Sequence, residues 1–365
     1  MRAARWRDFD WLLLGLVVLL TVIGVAMIYS ATLGVESLEG AWRKQALYAV
    51  LGLAGLFLVA TVDYHLLESL QWPIYFLTLL TLLFTLAFGR SDIGDVRRFI
   101  IIGNISIQPA FIALLLLIIS LAGVLARRAP RPPGGLEFFL SLGMAGLAAF
   151  LVFKQPNLST ATLYAVTWAA MVFASGMNLV YLGGLTSLSV ASVPLILPHL
   201  PQYMQDRIFN FLDPTRDPWA QYNLNQALIS IGSGGLWGKG FGSGTQSQLH
   251  FLRVRHTDFI FSVICEELGF VGAAVILFLY LLLLWRLLRI AADAGDLTGR
   301  LIVVGIIAYI FYQLVINLGM NLSLLPVAGL PMPFISSGGS SLFVAYLGIG
   351  LVEGIAMHRR GLEFA

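Results

Sequence analysis

Charge is scarce in this chain and cysteine scarcer still: of 365 residues only 11% are charged, five are histidine and one is cysteine. So few charges cannot solvate a soluble globular surface when 58% of the residues are hydrophobic and the mean hydropathy is +0.86. The class is a polytopic membrane protein. The lone thiol, Cys265, excludes an intrachain disulfide and, lying in an apolar run, reads as buried and inert. His250 and His256 stand six apart with no acidic residue at a metal spacing, which argues against zinc. Net charge is only +3, and basic residues are not interleaved with aromatics, so nucleic acid is not an expected partner. The first apolar run lacks a small-residue cleavage site after it and reads as a retained helix rather than a signal peptide.

What is abundant is long apolar sequence. A spanning helix needs roughly 20 mostly apolar residues, and ten segments qualify: about 11–31, 44–62, 73–89, 104–126, 136–153, 158–175, 178–198, 258–287, 298–323 and 338–358. The expected fold is all-α, one polytopic membrane domain over residues 1–365 with a large connection at about 199–257 between the seventh and eighth helices. Arg2, Arg5, Arg7, Arg127, Arg128, Arg131, Arg286, Arg289, Arg300, Arg359 and Arg360 fall on the face of the termini, which the positive-inside rule makes cytoplasmic. The large connection is then extracytoplasmic. Arg43, Lys44, Arg90, Arg97, Arg98 and Lys154 load the opposite face against that rule, and an anionic substrate is the simplest reason.

A connection of that length is usually functional or structured. Met204, Ile208, Phe211 and Leu212, then Leu224, Leu228 and Ile231, recur at helical spacing, which predicts two short amphipathic helices lying on the outer membrane surface. The segment 126–135, ARRAPRPPGG, reads as a cytoplasmic linker whose prolines stop a helix.

Scarce polar residues concentrate between Ile231 and Phe270. Seven glycines lie between Gly232 and Gly244 with Lys239 among them. Such a run either cradles an anion on its backbone N–H groups or is merely flexible. It is not the nucleotide-binding GxxxxGK[ST] loop, because glycine follows Lys239 where Ser or Thr would be needed. Asp258 begins the eighth helix, as its N-cap or as a catalytic carboxylate. Glu266 lies eight residues on, about 12 Å deeper along a continuous helix. With Glu267 it makes an intramembrane pair that is either a structural ion pair or a proton relay. Arg97 and Arg98 in DVRRFIIIGNISIQP either bridge lipid headgroups or grip a diphosphate. In NLSLLPVAGLPMPFISSGGSS three prolines forbid a regular helix, and irregular backbone at membrane depth must be buried or line a cavity.

These stretches resemble the SEDS family (shape, elongation, division, sporulation) over essentially the whole chain. The carriers are RRFIIIGNISIQP at 97–109, KQPNLSTA at 154–161, DPWAQYNLNQALISIGSGGLWGKGFGSGTQ at 217–246, HTDFIF at 256–261, EELGF at 266–270 and LPVAGLPMPFISSGGSS at 325–341. The resemblance implies ten helices and a peptidoglycan glycosyltransferase that polymerises lipid II at the outer face of the bacterial cytoplasmic membrane in cell elongation. It also implies a class B penicillin-binding protein as the cross-linking partner, and Asp258 as the essential residue. The candidates for holding diphosphate and sugar are Arg97, Arg98, Lys239, Gln226, Gln246, His256 and Ser336. No metal ligand is assigned, and a divalent magnesium or manganese ion is an optional companion. The chain departs from the family pattern at Ala110, Phe111 and Leu114, where Ser, Glu and Lys are usual, so roles of that Glu/Lys pair do not carry over. It departs again at Asn157 and Ser159, in place of Asp and Gly, and at Ser337, in place of Tyr.

The chemistry fits these residues directly. Glycosyl transfer from a lipid-linked diphosphate needs a base for the acceptor hydroxyl and cations for the departing diphosphate, which leaves without a general acid. A lipid flippase is the alternative, since intramembrane Glu266, Glu267 and Glu353 suit alternating access. A non-catalytic scaffold for wall enzymes is the third reading.

Overall fold

Apolar helices occupy every one of the ten predicted segments. The computed structural model describes residues 6–35, 38–89, 98–102, 105–213, 215–249, 251–252 and 254–358. Arg97, one of the predicted anion ligands, lies outside them. In order come α1 (Trp11–Thr32), α2 (Ala41–Ala60), the short α3 (Tyr64–Ser69), α4 (Gln71–Phe88), strands β1 (Ile100–Ile102) and β2 (Ile105–Ile107), α5 (Pro109–Leu125), α6 (Gly135–Lys154), α7 (Leu158–Ala174) and α8 (Leu179–Ile196). The long connection carries α9 (Gln202–Leu212), α10 (Pro218–Ser233) and α11 (Thr245–Gln248), and α12 (Ile260–Ala292), α13 (Leu297–Asn321) and α14 (Gly339–Met357) close the fold. Among the described residues seven helices, α1, α2, α4, α6, α12, α13 and α14, are long and apolar enough to cross a bilayer. α5 and α7, and the apolar stretch Leu179–Leu195 of α8, are shorter, about 25 Å each. The axis of the bundle is α14, whose apolar stretch is 83% buried against 22% for α2 and α4 at the periphery.

Two sequence expectations change. The fourth predicted helix, placed at 104–126, begins only at Pro109, where proline suits the first helical turn. The β-branched residues before it pair as an antiparallel hairpin instead, Ile100 opposite Ile107 and Ile101 opposite Ser106. The amphipathic helices of the long connection exist, but α10 does not simply lie on a membrane. Leu224, Ala227 and Ser230 are buried where α10 packs on α12, whereas α9 buries only Met204.

The eighth predicted helix is broken. Within α12, Gly269 has φ 68° and ψ −168°, so the helix stops and restarts at that residue. The glycine run fills the gap. Phe270 N–H donates to the Gly235 carbonyl (2.9 Å) and Val271 N–H to that of Leu236 (3.1 Å), while Lys239 and Gly240 N–H donate to the carbonyls of Glu266 and Glu267 (3.0 Å each). Backbone at this depth has no water to turn to, so each orphaned group finds protein. The approach is so close that a Cβ on Gly234 would lie 1.9 Å from the Cys265 carbonyl oxygen, and one on Gly269 2.3 Å from the Gly238 nitrogen. The run is therefore not a flexible tether: the N–H groups of Lys239 and Gly240 are spent on the broken helix and that of Gly242 on the Glu267 carboxylate.

The acidic pair completes this junction. Glu266, fully buried, accepts from Lys239 Nζ (2.8 Å), Thr245 Oγ1 (3.1 Å) and the N–H of Gln246 (2.9 Å), which also caps the start of α11. Glu267 accepts from Ser30 Oγ on α1 (2.7 Å) and Gly242 N–H (3.2 Å). Of the two earlier readings, the geometry shows a structural ion pair for Glu266, with Lys239, while the donors that hold Glu267 are neutral.

The expected outcome of Gly234→Ala is a loss of about 3 kcal/mol or more of stability, since backbone rather than a mobile side chain blocks the new methyl group. Gly232→Ala, with nothing within 4 Å of its Cβ, should be tolerated. Thermal melting of the two purified variants in one detergent checks both.

Candidate active site

Asp258 sits in the turn just ahead of α12, and its carboxylate is not the cap of that helix. The N-cap is Phe259, which makes no side-chain capping bond. Capping comes from another helix: Asn321, at the end of α13, accepts through Oδ1 from the Ser262 N–H (3.2 Å) and hydroxyl (2.7 Å). Its Nδ2 donates to the Asp258 carbonyl (2.9 Å), as does Asn317 one turn earlier (3.2 Å), and Asn317 also reaches the Leu330 carbonyl (2.9 Å). The backbone of Asp258 is thus clamped while its carboxylate is left to other work.

That carboxylate faces a cleft of about 410 Å³. One wall is α2, with Lys44, Gln45 and Tyr48; another is the hairpin end, with Phe99, Ser106 and Gln108; the third is the 329–341 segment, with Gly329 and Ser337 to Ser341. Four hydrogen bonds tie these walls together. Gln45 Nε2 donates to the Ser336 carbonyl (3.0 Å), Gly338 N–H to Gln45 Oε1 (3.3 Å), Gln108 N–H to Ser340 Oγ (3.1 Å) and Ser337 N–H to the His256 carbonyl (2.9 Å). The three polar stretches at 98–109, 256–258 and 321–341 do meet at one end of the bundle.

Among the described residues lining the cleft, Asp258 is the only carboxylate and Lys44 the only cation. Burial pushes the Asp258 carboxyl up to about 6, partly opposed by the positive charge of Arg207 and a hydrogen bond from Thr257. Arg207, exposed on α9, also helps burial to hold the Arg98 guanidinium below its ordinary value. The charge of Arg207 therefore acts on both Arg98 and Asp258.

The other predicted ligands are placed differently. Arg98 donates from Nε to the Gln155 carbonyl (3.3 Å) and from its terminal nitrogen to that of Pro156, fastening the hairpin to the α6–α7 turn beside the cleft rather than lining it. Lys239 is held by Ser233, Thr245 and Glu266 and is not a cleft residue. Ser336 is a strut whose hydroxyl donates to the Thr257 carbonyl (2.7 Å) and accepts the Met332 N–H (2.8 Å). Gln246 serves Glu266 through its backbone, Gln226 stays half-buried on α10, and neither lines the cleft. His256 is half-buried behind the turn, where desolvation and Arg255 lower its pKa and Nδ1 has no partner among the described residues. No group of three His, Cys, Asp or Glu residues able to hold a metal occurs among the described residues. Gln45, Arg207, Asn317 and Asn321 were not among the predicted site residues, and Lys44 was read only as one of several outward charges that an anionic substrate would explain. Lys44 had one visible signal, a charge on the face where topology disfavours it. Asn317 and Asn321 had another, two amides four apart in an apolar helix.

The sequence profile of the FtsW/RodA/SpoVE cell cycle proteins matches residues 10–361. The chain belongs to this family. Among curated relatives, the peptidoglycan glycosyltransferase MrdB of Escherichia coli K12 is 37% identical over 315 residues, covering 86% of this chain and 85% of MrdB. Among solved structures, a chain of a peptidoglycan synthase complex that coordinates polymerization and crosslinking superposes with a TM-score of 0.83 at 32% identity, over 97% of this chain and 99% of that one. The rod shape determining protein RodA of Thermus thermophilus superposes with a TM-score of 0.73 at 31% identity, over 98% of this chain and 99% of that one. This FtsW/RodA/SpoVE protein carries Phe111 and Leu114 in the cleft-proximal turn of α5, both buried among apolar neighbours, and Phe111 meets the Tyr309 ring edge-on. An apolar pair has replaced the usual charged pair without leaving a single charge behind.

Asn321→Ala should leave the Ser262 N–H with the Phe259 carbonyl alone, take the acceptor from the Ser262 hydroxyl and remove a donor from the Asp258 carbonyl, at a cost of about 2 kcal/mol. Turnover should fall further than substrate affinity as the carboxylate loses its position. Melting curves, together with separate determination of kcat and KM, check the pairing of these two effects.

Proposed function

We propose that this protein polymerises lipid II into glycan strands at the outer face of the bacterial cytoplasmic membrane, as a peptidoglycan glycosyltransferase of cell elongation. The observation that carries the reading is the lone Asp258 carboxylate, released from capping by Asn321 and facing a cleft with a cation on its wall. The curated relatives named peptidoglycan glycosyltransferase support it.

The geometry suggests a division of labour. Asp258 accepts the proton of the attacking sugar hydroxyl, and a carboxyl raised to about 6 is a stronger base than an ordinary one while still ionised at neutral pH. Lys44 and Arg207, with Arg98 behind them, offset the charge of the departing diphosphate. A divalent magnesium or manganese ion would meet only Asp258 among the cleft carboxylates and would take its other oxygen ligands from the diphosphate, whose charge it would help neutralise. Ten spans, with both termini cytoplasmic, put the cleft on the lipid II-bearing outer surface. A flippase is less well supported, because Glu266 and Glu267 are spent on the α12 junction and Glu353 accepts the Asp10 N–H (2.9 Å). The solved complex favours a cross-linking partner over a scaffold role alone. A class B penicillin-binding protein would find an exposed apolar ridge in Phe270, Val275, Phe278 and Leu281 of α12.

Asp258→Asn should abolish polymerisation by two to four orders of magnitude, roughly the worth of a general base, and leave lipid II binding intact. In the parent, kcat/KM should rise with pH through about 6 as the carboxylate ionises. The sign for stability is opposite. A folded-state pKa raised above the unfolded one means that stability present at low pH is lost as the pH rises through about 6. At pH 8 the Asn variant should accordingly melt no lower than the parent. Near-parental activity in a well-folded variant would falsify the assignment.

Orientation is checked by an impermeant thiol reagent on intact cells. In a Cys265→Ser background, Leu212→Cys, exposed on α9, should label, and Arg131→Cys, exposed at the other end of the bundle, should not.

A further inference from the structure

At the end of the bundle opposite Asp258, three connections enclose a second cavity, of about 660 Å³. Its walls are residues 129–132 after α5, 174–176 after α7 and 294–297 before α13, with Arg300. Each of these helices runs from the cleft end to this one: α5 starts beside Gln108, α7 beside the Arg98-bound turn, and α13 finishes on the Asp258 carbonyl. The cavity therefore opens at the other membrane interface.

Two guanidiniums line it, those of Arg131 and Arg300, both exposed and neither with a side-chain hydrogen bond or ion pair among the described residues. This contrasts with neighbouring Arg128, which pairs with Glu137 at 2.9 Å. Asp296, the single acid among the described residues of the lining, is already engaged: Oδ1 accepts the Gly299 N–H (2.8 Å) and Oδ2 lies 3.1 Å from His65 Nε2. Its cap also marks the α13 N-terminus, whose helix dipole adds positive potential at the cavity. Next to the lining, Phe173 is 63% exposed and turns an aromatic face outward, as a lipid-facing residue does.

We propose that this cavity binds the phosphate ester of an anionic phospholipid headgroup, gripped by Arg131 and Arg300. Planar guanidiniums suit phosphate oxygens bidentately, and basic pockets between helices at a membrane interface are where anionic lipids gather. The acyl chains would run down past Phe173. Neither the chemistry at Asp258 nor the choice of leaflet enters this assignment.

Native mass spectrometry of the purified full chain, with cardiolipin, phosphatidylglycerol or phosphatidylcholine added in mixed micelles, tests it. The parent should retain the two anionic lipids at least several-fold more than phosphatidylcholine. Arg131→Gln with Arg300→Gln should erase most of that preference, whereas Arg127→Gln, outside the cavity, should keep it. Equal retention of the three lipids by the parent, or an unchanged preference in the double variant, overturns the proposal. So does displacement of the anionic lipids by millimolar inorganic phosphate alone, which would make the site one for a soluble anion. Melting temperature, measured in the same micelles, verifies that each variant is folded.

Discussion

A helix interrupted inside an apolar bundle must have its freed backbone groups satisfied by protein, and the rest of this structure follows from how that is done at Gly269. The glycine run between residues 234 and 240 is drawn against the break, where its N–H groups and carbonyls replace those the helix no longer supplies. Glu266 and Glu267 then hold the run from below, through Lys239, Thr245 and Gln246 on one side and Ser30 of α1 on the other. Two carboxylates without water would be ruinous alone, but each is met by several donors. The segment of α12 ahead of the break is fixed in place by this junction, and the turn bearing Asp258 sits on top of it.

From there the structure separates support from chemistry. Asn321 takes over the capping that Asp258 could have performed, and Asn317 ties the same turn to the 329–341 segment. Gln45 clamps that segment from α2, and Ser336 locks it to Thr257. With these polar contacts assigned to neighbours, one carboxylate remains for the cleft, desolvated enough to be a better base. Desolvation costs stability at neutral pH, so the junction below and the clamp around it hold a carboxylate whose ionised form is less favoured than it would be in water. Three cations stand around it, Lys44 on the cleft wall, Arg207 on α9 and Arg98 held by the α6–α7 turn.

Membrane class, helix segments and the polar stretches that form the cleft were all legible in the sequence. They depend on composition, on apolar run length and on where proline and glycine interrupt the runs, and these are local properties. The family could be read as well, because its motifs are contiguous. The hairpin at 100–107 was missed, since an isoleucine-rich run next to an apolar helix carries no period that distinguishes strand from helix.

What only the tertiary structure decided is which partner each polar residue has. Lys239 and Ser336 stand in motifs beside reactive-looking residues, yet the fold gives one to Glu266 and the other to Thr257 and Met332. Lys44 lies more than two hundred residues from Asp258 in sequence and shares its cleft. Asp258 itself could be a cap or a base on local grounds, and Asn321, from another helix, settles that the cap is supplied elsewhere. A side chain's type and spacing determine what it is able to do, but its desolvation and its hydrogen-bond partners are set by residues far away along the chain, and those determine what it is free to do.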